Sequence, residues 1–114
     1  MTPEDIIGLV IYAMVALVMI AIGIYQLNQS DPVKFYTGEE PPAADEITNV
    51  KAWNLQHGMM WIIYGVLLVA GYFIGYFIKN VIFEIAVVIV FDIWPLILMA
   101  FYHSYLSKKY RRTI

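Results

Sequence analysis

The chain has 114 residues, of which 61% are hydrophobic and only 14% are charged, and it contains no cysteine. A soluble domain is about half apolar and about a quarter charged, so this composition excludes a soluble enzyme. The lack of cysteine excludes a disulfide-stabilised secreted domain, and the net charge of −2 argues against nucleic acid as a partner. The class that remains is a small protein of the lipid bilayer.

Three long apolar segments dominate the sequence. Two of them contain no charged residue, and the third is interrupted only by Glu84 and Asp92. Because a membrane-spanning helix needs about 20 mostly apolar residues, we predict a single all-α transmembrane domain. Its three predicted spans cover residues 6–27, 53–78 and 81–106. The second and third spans should form an antiparallel hairpin, since only a short turn near Asn80 joins them.

Lysine and arginine are distributed unevenly between the two sides of the predicted bundle. The C-terminal tail, residues 107–114, and the first loop, residues 28–52, hold six of the seven basic residues, and with three spans both lie on the same side. The remaining one, Lys79, lies on the other side. The positive-inside rule therefore predicts a multi-pass protein of the cell membrane, with its N-terminus outside and its C-terminus in the cytoplasm.

The first loop is the largest part of the chain that is predicted to face water. Pro42 is followed by alanines and by Asp45 and Glu46, a pattern typical of a helix start. We therefore expect a helix that begins near Pro42 and continues into the second span without a break. A loop of this length is either an interaction surface or a solvated connector.

A short motif, Trp53-x-x-x-His57 followed by a glycine, lies where the first loop meets the second span. A tyrosine–threonine–glycine triplet precedes it in the loop. In these two motifs the chain resembles the SdpI-like family of small bacterial membrane proteins, which includes toxin-immunity proteins. The resemblance covers residues 35–65 and implies that Thr37, Trp53 and His57 should be tested together. The residues that carry it are Tyr36, Thr37, Gly38, Trp53, His57 and either Gly58 or Gly65.

Asp92 lies near the middle of the third span, where an ionised carboxylate is costly. It should face the protein interior, with Tyr64 and Tyr72 of the second span as candidate hydrogen-bond donors. Pro95 lacks an N–H group and would disturb the helix beside it. Two interpretations stay open, namely a proton or cation site at this bend and a neutral aspartic acid that packs the helices.

His57 and His103 should lie at one depth, because their positions are symmetric about the turn near Asn80. Asp92 and His103 are about three helical turns apart and so share a face. Together with Asn54, these side chains form a predicted polar stripe. The histidines could relay protons, ligate haem or a metal, or make interfacial hydrogen bonds. Two histidines without cysteine are an incomplete metal site, so we expect no metal and no cofactor.

Glycines at close spacing mark the second span. Gly71 and Gly75 form a GxxxG motif, and Gly65 lies on a further track of small residues. Three thin helices bury little surface between themselves, so we expect self-association, most simply as a homodimer. The alternative is that the glycines only seat the first span against the second.

Two functional hypotheses of different class follow. The favoured one is a non-enzymatic membrane protein that acts through a protein or peptide partner, such as a toxin, as an immunity or accessory protein. The alternative is a small oligomeric transporter or channel, coupled to protons or cations, that uses the Asp/His stripe. A membrane enzyme or redox subunit ranks last, because the sequence contains neither a nucleophile elbow nor a phosphate-binding loop.

Overall fold

The computed structural model describes residues 1–35 and 39–111 of the chain. The predicted loop motif of Tyr36, Thr37 and Gly38 lies outside the described residues, as do residues 112–114. The described part is all-helical and contains no β-strand. Three of its helices are long and apolar enough to cross a membrane, namely α1 (Pro3–Leu27), α2 (Val50–Ile78) and α3 (Val81–Tyr110).

A capping box sets the start of α1. The backbone N–H of Thr2 donates to the Asp5 carboxylate at 2.9 Å, and the Asp5 N–H donates to the Thr2 hydroxyl at 3.2 Å. Pro3 occupies the first turn, where its missing N–H costs nothing. Because these caps satisfy free backbone groups, α1 begins at Pro3, ahead of the predicted start at residue 6.

The continuous helix predicted from Pro42 into the second span is wrong. The structure has only a single 3₁₀ turn, Ala44–Glu46, after which Ile47 is extended and pairs with Arg111 as an isolated bridge. A new helix then starts at Val50, because the side chain of Asn49 accepts a hydrogen bond from the Ala52 N–H at 3.0 Å. A contact with the far end of the chain therefore overrides the local helix signal.

A wide π turn, Ile89–Ile93, interrupts α3 in its middle. Pro95 cannot donate to the carbonyl of Phe91, so the α-helical ladder cannot continue unchanged through this region. The Trp94 N–H instead donates to the carbonyl of Ile89. Asp92 lies within this π turn, which places an irregular backbone and a carboxylate at the same point of the helix.

The glycines of α2 serve packing within one chain. A Cβ on Gly58 would lie 2.7 Å from the carbonyl oxygen of Gly23, and one on Gly65 would lie 2.8 Å from that of Ala16, so α1 and α2 touch through their backbones. A Cβ on Gly71 would lie 2.6 Å from that of Phe91 in α3. Gly58 and Gly65 thus seat α1 against α2, whereas Gly71 packs on α3, which the sequence did not predict. The contacts leave self-association without support from the GxxxG motif.

The buried core lies toward the end of the helices that carries the first loop. There α2, α3 and the loop meet, and Trp53 and Leu106 are almost fully buried. The loop is also attached to the end of α3, because the Thr48 N–H donates to the Tyr110 carbonyl at 2.7 Å. The packed core consists of Val33, Ile47, Trp53, Met60, Tyr64, Leu68, Met99 and Leu106.

Candidate functional site

Asn54 ties the start of the first loop to α2. Its Oδ1 accepts a hydrogen bond from the Val33 N–H at 3.0 Å, and its Nδ2 donates to the carbonyls of Gln29 and Asp31 at 3.1 and 2.9 Å. The side chain is 2% exposed, so these bonds replace water almost completely. One asparagine therefore satisfies three backbone groups at the start of the first loop, where residues 29–33 form neither helix nor strand.

Trp53 fills the space beneath the loop. Its side chain is fully buried, and its indole N–H donates to the Val33 carbonyl at 2.9 Å. Its ring also packs against the imidazole of His57, with ring centroids 4.2 Å apart. The tryptophan and the histidine of the Trp-x-x-x-His motif are thus in contact, one helical turn apart.

A chain of three hydrogen bonds connects α2, α3 and the loop. His57 Nδ1 lies 2.8 Å from the backbone oxygen of Trp53, and His57 Nε2 lies 2.8 Å from His103 Nδ1. His103 Nε2 then lies 2.9 Å from a carboxylate oxygen of Glu39, whose other oxygen accepts from the Phe35 N–H at 2.7 Å. We call Glu39, His103 and His57 the polar chain.

The chemistry of the acceptor groups fixes how many protons the polar chain holds. The carbonyl of Trp53 can only accept, so His57 Nδ1 must carry a proton. The two remaining hydrogen bonds, His57 to His103 and His103 to Glu39, need one proton each. The three hydrogen bonds thus hold three protons, one more than two neutral histidines carry. The additional proton balances the negative charge of the Glu39 carboxylate, so the polar chain is neutral as a unit wherever that proton resides. A neutral, fully bonded chain can be buried at little cost.

At its inner end the polar chain stops at the backbone carbonyl of Trp53, which cannot pass a proton on. A backbone carbonyl has no proton to release, and the next buried side chains toward Asp92 are Met60 and Met99. The predicted stripe is thus divided, with His57 and His103 in one group and Asp92 in another. This division favours a structural task for the histidines over a relay to Asp92.

Asp92 is held by two tyrosines from different helices. The Tyr12 hydroxyl of α1 donates to the Asp92 carboxylate at 2.5 Å, and the Tyr64 hydroxyl of α2 donates to the Asp92 backbone oxygen at 2.8 Å. The structure differs from the prediction for Tyr72, whose hydroxyl donates to the backbone oxygen of Asp5. Because α1 supplies the donor to the carboxylate, all three helices meet at Asp92.

A cleft of about 300 Å³ opens beside Asp92, between the start of α1 and the turn that joins α2 to α3. Its lining is acidic and aromatic, which suits a cation better than an anion or an apolar ligand. The carboxylates and tyrosines that line it are Glu4, Asp5, Glu84, Asp92, Tyr12, Tyr72 and Tyr76.

Sequence reasoning missed two residues of these groups, Glu39 and Tyr12. The signal for Tyr12 was available, because a hairpin of the first two spans centred on residue 40 places Tyr12 at the depth of Leu68 and hence of Asp92. No comparable signal existed for Glu39, since the first loop has no periodic pattern that would place it against His103.

Comparison with protein-family models, with curated proteins and with solved structures finds no match to the chain. The resemblance to the SdpI-like family therefore stays a prediction that depends on the residues quoted for it, of which Trp53 and His57 lie together in the structure.

Proposed function

We propose that this chain is a non-enzymatic membrane protein of the SdpI-like kind, whose first loop is a preformed docking surface for a protein or peptide partner. The observation that carries the proposal is the polar chain, which fixes the loop onto α2 and α3. A loop that only connects two spans has no need of a partly buried carboxylate bonded to a pair of histidines. Holding a loop in one conformation lowers the entropy cost of binding.

Membrane insertion is part of the same proposal. Large apolar side chains cover the outer faces of the helices, with Ile82 80% and Phe77 75% exposed, and a bilayer would cover them. The contacts of Gly71 with Phe91 and of His57 with His103 support the antiparallel hairpin of α2 and α3. The proposed orientation keeps the first loop in the cytoplasm, as the lysine and arginine count predicts.

The charge of the loop surface indicates the chemistry of the partner. Glu40, Asp45 and Glu46 are exposed, whereas Glu39 is turned inward to His103. The outward surface of the loop between residues 40 and 46 is therefore acidic, and a basic segment of a peptide or protein would complement it.

Co-purification from native membranes in mild detergent, followed by quantitative mass spectrometry, tests this function. We expect Glu39→Ala to lose the proteins that accompany the wild type, because the loop is no longer held. Asp92→Asn should retain them, because it lies outside the docking surface. Retention by Glu39→Ala together with loss by Asp92→Asn would contradict the proposal.

A second candidate function, cation-coupled transport, is favoured by the acidic cleft that leads to Asp92. Four carboxylates line this cleft, and the deepest belongs to the π turn of α3. A flux assay in proteoliposomes under a proton or sodium gradient tests it. Transport requires a flux that Asp92→Asn removes and that Glu40→Gln, in the loop, leaves unchanged.

A further inference from the structure

A second, larger cleft of about 740 Å³ lies between α1 and the first loop. Val18 and Ile22 of α1 line its apolar part, and Val33 and Lys34 of the loop line its other end. The cleft thus runs from an apolar helix face to a positively charged side chain at the loop. This arrangement suits a molecule with an apolar tail and an anionic head.

Two buried polar atoms in the lining have no hydrogen-bond partner in the described part of the chain. One is the side-chain oxygen Oε1 of Gln26, a residue only 5% exposed, and the other is the indole N–H of Trp61. Both residues line the cleft, and each of the two atoms is itself closed to water, so a ligand bonds to it once the side chain turns toward the cleft. A buried polar group without a partner is destabilising, so a ligand that offers one donor and one acceptor would satisfy both atoms.

The two atoms lie at different depths along the bundle. Gly65 packs against Ala16 and Gly58 against Gly23, so Trp61 lies level with about residue 20 of α1. Gln26 is then about six residues nearer the loop, which is about 9 Å along a helix. Lys34 lies beside Gln26, because the Nε2 of Gln26 donates to the Lys34 carbonyl at 3.1 Å. The positive charge and the acceptor are therefore together at the loop end of the cleft, the donor at Trp61 lies deeper, and apolar surface follows.

We propose that this cleft binds one glycerophospholipid of the surrounding bilayer whose headgroup is anionic and carries a hydroxyl. The phosphate lies near Lys34, the headgroup hydroxyl donates to Gln26 Oε1, an ester carbonyl accepts from the Trp61 N–H, and an acyl chain covers the apolar wall. A choline headgroup has no proton to donate to Gln26. The site goes beyond the proposed function, since it recognises a lipid whether or not the loop binds a protein.

Native mass spectrometry of the full chain in mild detergent tests the proposal, with phosphatidylglycerol and phosphatidylcholine of identical acyl chains as probes. We expect one phosphatidylglycerol per chain to be retained at activation energies that remove phosphatidylcholine. Phosphatidylglycerol should also raise the Tm of the protein, because a ligand that binds the folded state stabilises it.

Three substitutions change the three polar groups one at a time, namely Gln26→Leu, Trp61→Phe and Lys34→Gln. Gln26→Leu also removes the Nε2 donor to the Lys34 carbonyl. Each should weaken the retention of phosphatidylglycerol about three- to tenfold, the equivalent of one hydrogen bond or charge contact. The matched controls carry the same changes outside the cleft, at Gln56→Leu, Trp94→Phe and Lys51→Gln, and should bind like the wild type. Circular dichroism in detergent identifies any variant that fails to fold. If the other two variants fail to fold, the comparison of Trp61→Phe with Trp94→Phe is sufficient for the test.

Several results would overturn the proposal. Equal retention of the two lipids would show that the headgroup is not recognised. Binding by Trp61→Phe at the level of Trp94→Phe would show that the indole N–H does not contact the lipid. A lipid-free dimer, with α1 of one copy cross-linked to α1 of the other through the cleft, would show that a second copy of the chain occupies it instead.

Discussion

At the scale of single residues, two neighbouring glutamates differ most in what they contact. Glu39 bonds to His103 and to the Phe35 N–H, whereas Glu40 points outward. Glu39→Ala should therefore loosen the loop and speed trypsin cleavage after Lys34 by roughly fivefold or more, the equivalent of one lost part-buried hydrogen bond. Glu40→Ala should leave the cleavage rate unchanged, and equal rates for both variants would refute the assignment.

Tyr12 and Asp92 form the second pair that can be tested at this scale. Tyr12→Phe removes the donor to a carboxylate inside the bundle and should lower the free energy of unfolding in detergent by about 1–3 kcal/mol. Tyr25→Phe, at an exposed position, is the control. Because the two groups form one contact, adding Asp92→Asn to Tyr12→Phe should cost less than the two single changes summed. Additive losses would show that the hydrogen bond contributes nothing.

At the scale of helices, the packing of α1 on α2 depends on backbone contact between two glycines. Gly58→Ala would push a methyl group to within 2.7 Å of the Gly23 carbonyl, so we expect a loss of about 1–3 kcal/mol in unfolding free energy. A Cβ on Gly75 would lie 3.8 Å from its nearest neighbour, so Gly75→Ala should be neutral. The account of α1–α2 packing fails if the two alanine variants unfold alike.

How far the sequence predicted each element depends on the range of the interactions behind it. The three long helices were predictable because composition and length determine them locally. The break in the helix before Val50 was not predictable, because it depends on the pairing of Ile47 with Arg111, which is distant in the sequence. Symmetry about the turn near Asn80 predicted that His57 and His103 lie at one depth, and the two side chains bond in the structure. The prediction was possible because both residues lie on helices joined by a two-residue turn. Glu39 escaped prediction because a loop offers no such rule.

At the scale of the whole molecule, the membrane orientation is the claim with the widest consequences. The chain has no cysteine, so single-cysteine variants report one site each. A membrane-impermeant maleimide should label Thr2→Cys in intact cells and Thr48→Cys only in inverted vesicles. The opposite labelling pattern would place the first loop outside the cell, and the proposed docking surface would then face an extracellular partner.

The central claim is that the polar chain fixes the first loop onto α2 and α3, and ¹⁵N NMR of the histidine side chains tests it most directly. We predict that His57 carries a proton on Nδ1 and that a through-hydrogen-bond coupling joins His57 Nε2 to His103 Nδ1. We also predict that this coupling weakens in Glu39→Ala. A His57 ring protonated only on Nε2, without coupling to His103, would contradict the account.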